Sequence, residues 1–131
     1  MLLLQSSLVL AGEFSWSSQS FGGMLTRGGQ VLKSKQLQPS SPFNGRAIPT
    51  KLVWKIIPDG RIPADLKIKF CSLDGCLTLP DLAGEISFPS GYSASWPYRF
   101  EYVLMTRGVI SPPLTILSNQ ITVNYVDAKN D

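Results

Sequence analysis

The chain has 131 residues, 44% of them hydrophobic and 16% charged, with a net charge of +3, which describes one ordinary globular domain able to bury a core without metals. It contains no histidine and only two cysteines, so Ser-His-Asp and Cys-His catalysis and every histidine-based zinc site are excluded. Ten prolines and eleven glycines punctuate short apolar runs with no long stretch at helical period, the composition of an all-β protein.

In chain order, residues 1–11 (Met1-Leu2-Leu3-Leu4-Gln5-Ser6-Ser7-Leu8-Val9-Leu10-Ala11) read as a signal peptide. The segment is mostly apolar and ends in Val9-Leu10-Ala11, a small-residue cleavage site that would leave a mature chain starting at Gly12. It lacks the usual basic n-region, as if shortened at its start. Its apolar run is barely half of the roughly 20 residues that a membrane span requires. Phe21-Gly22-Gly23 and Arg27-Gly28-Gly29 bracket the short strand Met24-Leu25-Thr26. Without a following helix or Lys-Ser/Thr they are hairpin or bulge glycines, not a phosphate loop. A strand is expected within 30–36. Lys51 to Ile57 puts Leu52, Trp54 and Ile56 on one face, and Leu66, Ile68 and Phe70 repeat the pattern. Further strands are expected over 77–79, 85–88, 98–105 (Tyr98, Phe100, Tyr102 and Leu104 inward) and 121–125 (Ile121, Val123 and Tyr125 inward). Turns are read at Pro58-Asp59-Gly60, Pro89-Ser90-Gly91 and Arg107-Gly108. Seven or eight short strands spaced in this way predict a two-sheet antiparallel β-sandwich over 12–126, ahead of a disordered tail at 127–131.

Cys71 and Cys76 flank Ser72-Leu73-Asp74-Gly75 inside one hairpin. Directly opposed across a four-residue loop, their Cα atoms fall within disulfide range; with a two-residue turn at Asp74-Gly75 they are diagonal and too far apart. A structural disulfide competes here with a pair of inert thiols, while the spacing is too wide for a C-x-x-C redox motif. A disulfide, together with residues 1–11, points to an exported protein.

Charge is uneven. Nine basic and two acidic residues between Arg27 and Lys69 give +7, whereas 70–131 carries −3. The pairs Lys33/Lys35, Lys51/Lys55 and Lys67/Lys69 keep the period of a strand. Each pair is either a solvated outer face guarding strand edges or a docking surface for an acidic protein or membrane surface. No aromatic-basic motif recommends nucleic acid. A carboxylate pair for sugar hydrolysis could be drawn from Asp59, Asp65, Asp74, Asp81, Glu85 and Glu101, but most of these stand in turns, and no enzyme, metal or cofactor is expected. Trp54 reads as core; Trp16 and Trp96 are the tryptophans freer to touch a partner, although burial over a sheet end is the commoner state.

Four stretches resemble the FlhE family of flagellar proteins of enteric bacteria: Ala11-Gly12-Glu13 followed by Trp16; Leu66 to Ser72 leading to Cys76; Tyr98-Arg99-Phe100-Glu101-Tyr102; and Leu117-Ser118-Asn119-Gln120-Ile121-Thr122-Val123-Asn124-Tyr125. The last is the most specific. The resemblance implies a periplasmic accessory protein that supports flagellar assembly and swarming, without catalytic residues and with Cys71 and Cys76 bonded. It implies either a chaperone that keeps rod or hook subunits from polymerising early or a plug that limits leakage through the export gate, so its partners are those subunits or export apparatus components. A competing reading is a secreted adhesin or carbohydrate-binding module stacking sugars on Trp16 or Trp96. A structural part of the flagellar base is a third.

Overall fold

The structure, a computed structural model, describes residues 13–40, 47–73, 75–89, 91–92 and 97–127. The expected signal peptide, Trp96 and residues 128–131 of the tail lie outside the described residues. Nine strands form two antiparallel sheets: β1 (Glu13–Ser20), β2 (Gly23–Arg27), β3 (Val31–Lys33), β4 (Ala47–Asp59), β5 (Leu66–Ser72), β6 (Gly75–Leu79), β7 (Ala83–Ser87), β8 (Arg99–Leu104) and β9 (Val109–Asp127). The first sheet runs β1-β9-β4-β7, with β2 also paired to β9; the second runs β3-β8-β5-β6. The all-β sandwich expected from the residue pattern is the observed fold.

Three features go beyond the expectation. β1 is a strand, paired along its whole length with β9 from Glu13↔Val126 to Ser20↔Asn119. β4 starts at Ala47, and β9 is nineteen residues long where only 121–125 was expected. Both long strands contain prolines, which cannot donate to a ladder and so are expected only at edges or bulges. They obey that rule inside the sheet. Pro49 and Pro58 sit at the two register shifts of the β4–β9 pairing, and Pro112-Pro113 lies in the shift between Leu25↔Leu114 and Arg27↔Val109. The last residue of β9, Asp127, pairs with Ala47, so the sheet reaches one residue into the expected tail.

The period-two pattern sets the interior. Leu52, Trp54 and Ile56 of β4 and Ile121 and Val123 of β9 face Ile68 and Phe70 of β5 and Phe100, Tyr102 and Leu104 of β8, all of them buried. Full burial of such a side chain contributes about 1.5–3 kcal/mol. Aromatic rings knit the layers: Phe70 stacks on Tyr98 at 4.7 Å and meets Phe100 edge-on at 5.6 Å. Trp16, from the first sheet, stacks on the same Tyr98 at 6.3 Å. Two glycines are dictated by close approach. A Cβ at Gly22, where β1 passes into β2, would lie 2.3 Å from Ile116, and one at Gly28, in the turn into β3, would lie 1.5 Å from the Thr106 carbonyl oxygen.

Polar contacts tie the layers at two further places. Asn119, wholly buried on β9, accepts a short hydrogen bond from the Tyr102 hydroxyl of the opposite sheet. Its amide nitrogen donates to the Ser20 carbonyl at 3.1 Å and the Ser20 hydroxyl at 2.9 Å. Burial pushes the Tyr102 phenol well above its ordinary pKa, so it stays a donor. At one end, the Asp65 carboxylate accepts hydrogen bonds from the Thr106 hydroxyl and amide, which hold it below its usual pKa and tie the β4–β5 connection to the β8–β9 connection.

Replacing Tyr102 by Phe strands the Asn119 carbonyl in the core, so Tyr102→Phe should lower stability by about 1–3 kcal/mol in urea denaturation. Adding Asn119→Leu should cost less than the sum of the two single changes, because the stranded acceptor is then removed.

Candidate functional site

The β5–β6 hairpin carries the disulfide. Cys71 and Cys76 stand directly opposite each other with Cα atoms 4.0 Å apart, and their sulfurs are bonded. The opposed register is the one a bond requires, but the loop is shorter than the four residues considered from sequence. Ser72 pairs with Gly75, so the ladder reaches Gly75 itself, whereas a turn at Asp74-Gly75 would have set the cysteines apart. Gly75, at φ 139°, supplies the backbone freedom that lets pairing resume at once.

Strand alternation sends Cys71 to the outer face of the second sheet, where it lies opposite Arg99 of β8. It is nevertheless fully buried. Beside it, the Arg99 guanidinium meets the Glu101 carboxylate through Nη2 at 2.7 Å and Nε at 2.9 Å, and the Glu101 side chain is only 15% exposed. A Glu101 oxygen and the two sulfurs lie within 4.8 Å of one another. With the sulfurs bonded, no thiolate remains for a metal.

The lysines divide between two faces. Lys33 of β3 and Lys69 of β5 flank Glu101 of β8 in register, and Lys67 lies one pleat along, opposite Val103. Lys35, two residues past β3, is exposed like Lys33 and Lys67. Lys51 and Lys55 belong to β4 and therefore to the other sheet. There Lys51 pairs with Glu85 at 3.7 Å, both side chains largely exposed, which is worth little in water. The rest of that outer face is largely neutral: Ser15, Ser17 and Gln19 of β1 stand opposite Asn124, Thr122 and Gln120 of β9, with Ser17 and Thr122 hydroxyls 2.8 Å apart.

The tryptophans fare differently. Trp16 is 9% exposed and stacked in the core, so burial has won over contact at that position, and Trp54 is core as expected, its indole donating to the Asp81 carbonyl at 2.9 Å. The Arg99–Glu101 pair went unread in the sequence, although opposite charges two apart on a strand are its signal. Among the described residues no helix is long and apolar enough to cross a membrane.

The sequence model of the family described as "Flagellar protein FlhE" matches residues 22–126. The chain belongs to the FlhE family. It is 31% identical to the flagellar protein FlhE of Escherichia coli (strain K12) over 95% of this chain and 94% of that one, and 30% identical to that of Salmonella typhimurium over 95% of each. A solved structure titled "Crystal Structure of FLHE" superposes with a TM-score of 0.77 at 30% identity, covering 88% of this chain and 98% of that one. The resemblance carried by the four sequence stretches is thus a family relationship, with the same sandwich. Membership in FlhE assigns a flagellum-related role, and FlhE is not a known enzyme family.

Closing so small a ring confines the unfolded chain only slightly, so a Cys71→Ala/Cys76→Ala variant should lose about 2 kcal/mol. It should keep the near-ultraviolet circular dichroism of a packed aromatic core. Loss of that signal in buffer would mean that the hairpin carries more of the fold than its size implies.

Proposed function

We propose that this FlhE protein is exported to the periplasm and acts there as a chaperone-like binder that keeps flagellar rod or hook subunits from polymerising early. The observation that supports the reading best is β1. Among the described strands it pairs with β9 alone, leaving an edge eight residues long. Edges of this kind are usually guarded by lysine or proline, and β1 (Glu13-Phe14-Ser15-Trp16-Ser17-Ser18-Gln19-Ser20) has neither. An extended segment of an assembling subunit can add to such an edge through main-chain hydrogen bonds while its own assembly surface is masked. Cys71–Cys76 suits an oxidising compartment such as the periplasm. A plug on the export gate would draw on the same family membership, but the edge favours capture of a soluble chain.

The test mixes oxidised protein, residues 12–131, with purified unpolymerised rod and hook subunits and follows both complex formation and polymerisation. Capture predicts a complex and a lengthened lag. A proline at a β1 position whose N–H points away from β9 should weaken capture without unfolding the domain. Absence of binding to every subunit would overturn the chaperone reading in favour of the export gate.

A further inference from the structure

Resting on the reading of the chain as a binding module, we infer that the outer face of the β3-β8-β5 sheet is a docking surface for an acidic polypeptide segment. Lys33, Lys35, Lys67 and Lys69 form its charge. Among the described residues the acidic side chain between them is Glu101, which already holds the Arg99 guanidinium through two hydrogen bonds and is mostly covered. Neither ion pair among the described residues uses any of the four lysines. The face therefore carries four ammonium groups in excess.

Their spacing fits a carboxylate-bearing chain. Lys67 and Lys69 are two residues apart on one strand, about 7 Å, and alternate side chains of an extended peptide repeat at the same distance. Lys33, two strands from Lys69 across β8, adds a second row about 10 Å away. Phosphate recognition favours the bidentate fork of arginine, and Arg99, the arginine on this face among the described residues, is committed to Glu101. Lysines are mobile point charges that suit carboxylates on a flexible segment. Membrane binding would call for large apolar side chains among the charges; those paired in register within the lysine rows are Val31 and Val103, while the exposed Leu73 and Met105 lie past the ends of β5 and β8. The disulfide and the Arg99–Glu101 pair beneath keep the platform rigid, so a partner need not order it on binding.

Position strengthens the case. β2 leads through the Gly28-Gly29 turn directly into β3, so the row containing Lys33 lies on the same flank of the sandwich as the β1–β2 edge. An acidic stretch on the lysines and an adjoining extended stretch on β1 belong to one continuous partner.

The test measures binding of fluorescent poly-L-glutamate at low and high salt to the wild type and to two double variants that lower the net charge equally, Lys67→Gln/Lys69→Gln and Lys51→Gln/Lys55→Gln. The proposal predicts roughly tenfold weaker binding for the first and little change for the second, with affinity falling as salt rises. Equal losses in both would reduce the effect to net charge and overturn the proposal, as would no binding by the wild type. Stronger binding to phosphatidylglycerol vesicles than to poly-L-glutamate, lost in the Lys67/Lys69 variant, would assign the face to a membrane instead and overturn it too. If poly-L-glutamate discriminates between the variants while no rod or hook subunit binds, the acidic docking face stands and the flagellar-subunit reading falls.

Discussion

β9 is the strand on which the other elements depend. It pairs with β1 and β2 along one side and with β4 along the other, so most of the first sheet exists only through its hydrogen bonds. At its middle stands Asn119, a wholly buried amide that would be costly without partners and has three: the Tyr102 hydroxyl of the second sheet and the carbonyl and hydroxyl of Ser20 at the end of β1. Hydrophobic burial brings the two layers together but is indifferent to sliding. The Asn119 contacts are directional, and they fix which residue of β8 and which end of β1 meet β9. This gives a physical reason for Asn119, near the start of the stretch Leu117 to Tyr125 that carries the resemblance to the FlhE family.

Much of the fold was legible because its inner strands follow the pleat: Tyr98, Phe100, Tyr102 and Leu104 alternate inward without interruption and are all buried. β1 was not legible, since its inward positions include Ser18 and Ser20 and its apolar signal, Phe14 and Trp16, is confined to its first half. The first half of β9 was hidden by Pro112-Pro113, which argue against a central strand until one sees that they fall where the register shifts. The lysine pairs were readable as outward-facing from their spacing. That they separate into a charged face and a nearly neutral one was not, because Lys51/Lys55 and Lys67/Lys69 look alike in sequence and differ only in the sheet to which β4 and β5 belong. Trp16 shows the same limit. Its serine-rich surroundings left contact with a partner open beside burial, and Tyr98, far away in the chain, supplies the ring that covers it.

The two outer faces give the molecule a polarity. One carries Ser, Thr, Asn and Gln with a solvated Lys51–Glu85 pair and Lys55; the other carries four lysines outside either ion pair, over a disulfide and a covered ion pair. The flank carries the eight-residue edge of β1. The binding function proposed above draws on these elements, within the flagellum-related role that family membership assigns. In the proposed mode of action the charges attract a partner from a distance and the edge strand holds an extended segment by its backbone, so selectivity and capture would rest on different parts of the fold.

Lysine acylation read out by mass spectrometry, with and without unpolymerised rod or hook subunit, tests this account most directly. Protection of Lys33, Lys35, Lys67 and Lys69 with Lys51 and Lys55 still reactive is the predicted footprint. Protection confined to Lys51 and Lys55, or an unchanged pattern in the presence of a demonstrably bound subunit, would contradict it.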